Sequence, residues 1–67
     1  MEIKRAKYNL NRPVQYGGHK YIMLELILWV ATDASGAEQL RYSATLRDSN
    51  GHAIVRAPLD AVEEMDQ

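Results

Sequence analysis

The sequence predicts an α+β fold: an antiparallel curved sheet of about four strands followed by one short C-terminal helix. Three observations predict it. Residues 19 to 32 and 38 to 48 alternate side chains with the period of a strand. Gly17-Gly18 and Asn50-Gly51 punctuate these runs in the manner of hairpin turns. Pro58, followed by Leu59 and Val62, opens a short amphipathic stretch, and proline is pre-organised for a first helical position. At 67 residues the chain is expected to be a single domain, residues 1–67.

The elements follow in order. Residues 2 to 8 read as a first strand, which Asn9 to Pro13 interrupts, because proline cannot donate to a ladder and asparagine favours turns. Val14 to Tyr16 resume the strand. Gly17-Gly18 forms a two-residue turn, since both positions can adopt positive φ at little cost. His19 to Thr32 is the longest strand. Its even positions Ile22, Leu24, Leu26, Leu28 and Val30 point to one face and are expected to make the core. Thr32 to Ala37 is a loop. Glu38 to Asp48 is a half-solvated strand, with Leu40, Tyr42, Ala44 and Leu46 on its apolar face and Gln39, Arg41, Ser43, Thr45 and Arg47 on its polar face. Ser49 to Gly51 is a tight turn, and Ala53 to Ala57 a fourth strand. From Pro58 a helix places Leu59, Val62 and Met65 on the sheet, with Asp60 near its positive end.

The long strand is unusual in having a second apolar face. Tyr21, Met23, Ile27 and Trp29 alternate with the core positions, and one helix cannot cover both sides of a sheet. These four residues are therefore expected at an interface, against a second protomer, the N-terminal segment or a ligand. A domain of this size is marginal alone. With no cysteine for a disulfide, self-association is the expected staple, as a dimer or a dimer of dimers.

The composition excludes several classes. Eight Lys and Arg against nine Asp and Glu leave a net charge of -1, neither a strongly basic nucleic-acid coat nor an acidic mimic of one. The absence of cysteine removes thiolate metal sites and Cys nucleophiles, and two histidines cannot build a His-rich metal centre. His19 and His52 sit beside turns, no serine has a nucleophile-elbow context, and Gly17-Gly18 is too short for a phosphate-binding loop. No catalytic residue, metal site or cofactor is expected. The one enzyme reading entertained is a weak metal-dependent DNA-nicking activity assembled across subunits, with Asp48, Asp60 and Glu64 as ligands. No secretory signal is evident. The longest apolar run, Tyr21 to Ala31, is broken by Glu25 and falls short of the roughly 20 residues a spanning helix needs. The expectation is a cytoplasmic protein that does not enter a membrane.

The charge is nevertheless uneven. Lys4, Arg5, Lys7, Arg12 and Lys20 crowd the first twenty residues against Glu2 alone, while Asp60, Glu63, Glu64 and Asp66 crowd the last ten. Lys4, Arg5, Lys7, Arg41 and Arg47 are the candidate phosphate contacts. Arginines beside aromatics stack bases and hold phosphates.

The segments Tyr16-Gly17-Gly18-His19-Lys20-Tyr21, Leu24-Glu25-Leu26, Tyr42-Ser43-Ala44-Thr45-Leu46-Arg47-Asp48, Ile54-Val55 and Pro58-Leu59-Asp60-Ala61-Val62-Glu63 resemble small proteins of prophages and other mobile elements. The expected order of four strands and a helix is also similar to the PC4-like fold of single-stranded-DNA-binding cofactors, which certain anti-CRISPR proteins resemble. The resemblance implies a curved sheet, a C-terminal helix that mediates dimerisation, and DNA or a CRISPR effector as target. It assigns no role to an individual residue. The lead expectation is a mobile-element accessory protein, anti-CRISPR-like, acting on nucleic acid or a nucleic-acid-bound effector through an oligomeric sheet surface. The alternative is a non-enzymatic protein–protein interaction module using the Tyr21, Met23, Ile27 and Trp29 face.

Overall fold

A computed structural model describes residues 1–65; Asp66, counted above in the acidic end, lies outside the described residues. The elements are α1 (Ile3–Tyr8), β1 (Pro13–Tyr16), β2 (His19–Thr32), β3 (Glu38–Asp48), β4 (Ile54–Pro58), a 3-10 turn (Leu59–Ala61) and β5 (Glu63–Glu64). All pairings are antiparallel, and the sheet order is β4-β3-β2-β1-β5. The class is mostly β. The expected four strands with a C-terminal helix are replaced by five strands with a helix at the other end, so the order on which the PC4-like likeness rests is not present.

Residues 3–8 are helical rather than extended because Lys4, Arg5, Ala6 and Lys7 are good helix formers. Burial of Ala6, with Ile3 packed beside it one turn earlier, gives the helix an apolar side. Asn9 ends it: its backbone N–H donates to the Arg5 carbonyl at 3.0 Å, and its Nδ2 donates to the same oxygen at 2.8 Å. At the other end, Pro58 is the last residue of β4, with extended backbone angles. The expected helix closes after one 3-10 turn, and Val62 is again extended. Glu63 and Glu64 then pair with Gln15 and Val14. Ladder pairing with β1 outweighs the local helical preference. Leu59 and Val62 still reach the core, so the docking expected of them occurs without the helix.

β4 and β5 occupy opposite edges, yet only Leu59 to Val62 separates them in sequence. Five flat strands would hold those edges ~19 Å apart, whereas four residues containing a 3-10 turn reach only about 13 Å. The sheet must therefore curl. Its concave side holds Val14, Met23, Ala44, Leu46, Ala57, Leu59 and Val62, and α1 covers this side with Ala6.

Gly17 and Gly18 form the expected two-residue turn, with φ of +60° and +80°. The second turn is wider than expected: residues 49 to 53 separate β3 from β4. Asp48 organises it by accepting from the Asn50 N–H at 2.9 Å, and its own N–H donates to the Ala53 carbonyl. This is an Asx-type turn in place of the tight Asn-Gly hairpin.

A bulge decides which side chains of β2 face inward. The register against β3 slips between Met23 and Glu25, leaving Leu24 unpaired. Before the bulge the odd residues Tyr21 and Met23 face the core and Ile22 faces out; after it the even residues Leu26, Leu28 and Val30 share the core-side face with Ala44, Tyr42 and Leu40. The expectation that all even positions from 22 to 30 form one core face is thus corrected at both Ile22 and Leu24, and Leu28 and Val30, though on the core-side face, are exposed rather than buried. Met23 is fully buried, and does not belong to a second, interfacial face.

β2 and β3 also outrun their neighbours. β1 covers β2 only to Ile22, and β4 covers β3 only from Ser43 onward. The remainder projects as a two-stranded arm. The chain extends 43 × 23 × 18 Å, and its radius of gyration is 12.9 Å, against about 11 Å for a compact chain of this length.

Candidate functional site

Two surfaces of the arm carry the recognisable chemistry. On the outer, convex face the alternation places Ile27, Trp29 and Ala31 of β2 beside Ser43, Arg41 and Gln39 of β3. Arg56 of β4 and Arg47 of β3 continue the same face, being opposite Thr45 and Ile22. Trp29 is 47 % exposed. Its indole N–H donates to the Ser43 hydroxyl at 3.1 Å, which fixes the ring, and the Arg56 guanidinium lies 5.8 Å from the ring centroid. Arg41 is its direct cross-strand neighbour. The acid nearest this group along β2, Glu25, accepts a hydrogen bond from the Thr45 hydroxyl at 2.9 Å. The result is an aromatic platform flanked by arginines, a geometry that suits a stacked base with phosphates on either side.

The inner face of the arm is apolar. Leu28, Val30 and Leu40 are each more than half exposed and Tyr42 is about one-third exposed. Leu40 and Tyr42 line a groove with Met1, Ile3, Pro58 and Leu59 at the foot of the arm. Nothing among the described residues covers Leu28 or Val30, because β1 and α1 stop short of them.

The five candidate phosphate contacts separate into two groups. Arg41 and Arg47 share the outer face of β3, six residues and hence ~20 Å apart. Lys4, Arg5 and Lys7 lie on α1, on the core side of the sheet. Arg5 is committed elsewhere: its Nε donates to Glu64 Oε1 at 2.9 Å and its second nitrogen to Oε2. That pair holds the Glu64 carboxyl down at about 2, first through the hydrogen bond from Arg5. Arg5 and Arg12 also flank the Tyr8 ring, at 4.7 and 4.6 Å from its centroid. The four expected interface residues separate too. Ile27 and Trp29 are on the outer face, Tyr21 is half-buried on the core side against Tyr16, and Met23 is in the core.

Sequence reasoning missed Arg56 because its strand is short and its alternation weak; its cross-strand position next to the Trp29 face needs the β3–β4 register. Asp48, Asp60 and Glu64 are not brought together, and no group of three His, Cys, Asp or Glu side chains able to hold a metal ion occurs among the described residues. At the arm tip, the Asp33 carboxylate accepts from the Ser35 hydroxyl at 2.6 Å, the Ser35 N–H at 2.9 Å and the Ala37 N–H at 3.1 Å. These bonds, the Ser35 hydroxyl foremost, hold its carboxyl below the usual range and brace the loop. No helix among the described residues is long and apolar enough to cross a membrane.

Comparison with protein-family models, curated proteins and solved structures finds no match to the chain.

Proposed function

We propose that this protein is a non-enzymatic accessory module that takes a single-stranded nucleic acid across the outer face of β2, β3 and β4. Trp29 stacks a base, and Arg41, Arg47 and Arg56 contact phosphates. The observation that supports this reading is the fixed, half-exposed Trp29 ring between Arg41 and Arg56. A role beside a nucleic-acid-bound effector of a mobile element is compatible with such a surface. With three arginines and a net charge of -1, the affinity is modest and salt-sensitive, and neighbouring acids keep the protein from coating duplexes indiscriminately.

Trp29 is the only tryptophan in the chain, which makes it an internal probe. Its emission should be quenched on titration with a single-stranded oligonucleotide at low salt. The affinity should fall with salt at a log–log slope of about -2, the value for three phosphate contacts on a single strand. With a labelled oligonucleotide, Trp29→Ala should weaken binding by ~5- to 150-fold, the range for loss of one stacked base. Unchanged emission at low salt would reject the reading.

A second reading has an observation of its own. The uncovered apolar inner face of the arm, with Leu28, Val30 and Leu40, favours a protein-assembly module in which no nucleic acid takes part.

A further inference from the structure

The arm has a feature that neither of its faces explains, an open backbone edge. The segment Asn11–Arg12 bonds to β2 at Met23. From Leu24 to Thr32, β2 has β3 on one side and no strand on the other among the described residues. Exposed edges invite pairing, and proteins that avoid it place charges, prolines or very short strands there. This chain does so at its other edges. β5 is two glutamates long, β4 is five residues and carries Pro58, and the free stretch of β3 holds Glu38 and Arg41. The β2 edge carries one charge in nine residues, Glu25, and no proline.

We propose that this edge pairs with the same edge of a second copy of the chain, antiparallel about a two-fold axis through Leu28. The pattern of β2 selects both the occupant and the register. Centred on Leu28, each Leu28 faces the partner's Leu28, Leu26 faces the partner's Val30, and Ile27 faces the partner's Trp29. Aromatic and β-branched pairs of this kind stabilise antiparallel ladders. Glu25 faces the partner's Ala31, so no like charges meet. A shift of the axis to Trp29 would set Glu25 against the partner's Asp33, two carboxylates directly opposed. A shift to Ile27 would set Glu25 against the partner's Trp29 and lose the aromatic–aliphatic pair.

The area fits a reversible pair. An edge ~30 Å long, with side chains above and below it, covers on the order of 600 Å² per chain, at the low end for specific complexes, whose standard size is ~800 Å² per partner. Dissociation in the micromolar range follows. The pair joins two outer faces into one surface, with the two Trp29 side chains diagonal to each other. The proposal does not depend on nucleic-acid binding.

The chain has no cysteine, so a single introduced thiol reports the register directly. Light scattering should find wild-type protein dimeric at about 100 µM and monomeric on ~100-fold dilution, as a micromolar pair requires. Leu28→Cys, whose thiol faces its own counterpart, should cross-link into a disulfide dimer under mild oxidation. Val30→Cys, four residues out of self-register, should cross-link at least tenfold more slowly. Leu28→Lys should be monomeric at all concentrations with an unchanged circular-dichroism spectrum, since Leu28 is already 52 % exposed. A wild-type monomer at about 100 µM overturns the proposal. So does a dimer that survives Leu28→Lys and cross-links through Leu40→Cys, which would place the inner faces together.

Discussion

β2 and β3 each run through two different environments, and the contrast between them divides the molecule. In the body, β3 residues Ala44 and Leu46 are buried between β2 and β4 in the core that Ala6 of α1 joins. In the arm, Leu40 and Tyr42 lie on the same face of the same strand and are exposed. The side-chain types hardly differ; the covering does. β1 is four residues long and β4 five, against fourteen for β2 and eleven for β3. Stability therefore comes from the half that the short strands cover, and the uncovered half is left for contact. A 67-residue chain has only about 3 to 10 kcal/mol of folding stability to distribute. Concentrating it in the body leaves the arm free to present apolar and cationic groups that a core could not use.

The largest effect expected from this division separates two truncations of the sheet. Leu46→Ala opens a cavity among fully buried side chains and should cost ~2 to 5 kcal/mol, enough to unfold much of the population. Val30→Ala, at 61 % exposure, should change monomer stability by about 0.5 kcal/mol or less. Urea unfolding of both variants at low protein concentration checks the pair. Equal losses would mean that the arm is packed as tightly as the body.

A smaller effect is expected where the body is set in register. Gly17 has φ of +60° and a Cβ there would meet nothing within 4 Å. Gly17→Ala should therefore cost only the dihedral strain, about 1 kcal/mol after the entropy gained from restricting the unfolded chain. A loss of several kcal/mol would show that the turn makes contacts beyond its own backbone.

The smallest effect concerns the surface pair that ties α1 to β5. Glu64 is held at about 2 by Arg5, below the usual ~4.3 of an unfolded glutamate. A depressed folded value contributes stability that is fully present above the unfolded value and is lost as pH falls from ~4.3 towards about 2. Glu64→Gln should flatten that segment of the stability–pH curve slightly, because both partners are exposed to solvent screening. An unchanged curve would assign the acid sensitivity to other groups, Asp33 first among them.

Much of the sheet was legible in the sequence. The bounds of the two long strands, His19–Thr32 and Glu38–Asp48, follow from period-2 alternation and the flanking turn residues. Gly17-Gly18 announces its turn because few other dipeptides tolerate two positive φ values. The termini were misread for two different reasons. Residues 3–8 mix helix formers with β-formers over only six positions, and what decides between them is Ala6 and Ile3 meeting a core assembled from distant strands. Residues 58–64 look helical locally, but Glu63 and Glu64 are claimed by β1, some fifty residues earlier. The bulge at Leu24 left no mark in the alternation, so Met23 and the even positions exchanged sides unseen. For the candidate surface, Trp29, Arg41 and Arg47 were readable as exposed odd positions. Arg56 was not, since its place beside Trp29 exists only through the β3–β4 register.

The division between body and arm is tested most directly by amide hydrogen exchange, followed residue by residue at two protein concentrations. The account predicts that amides of Val14, Ala44 and Leu46 are protected equally at both. Alternate amides of β2 from Glu25 to Thr32, those facing the open edge, should exchange rapidly at low concentration and slow by at least tenfold at about 100 µM. Uniform, concentration-independent protection along the whole of β2 would contradict it, because the arm would then already be covered within a single chain.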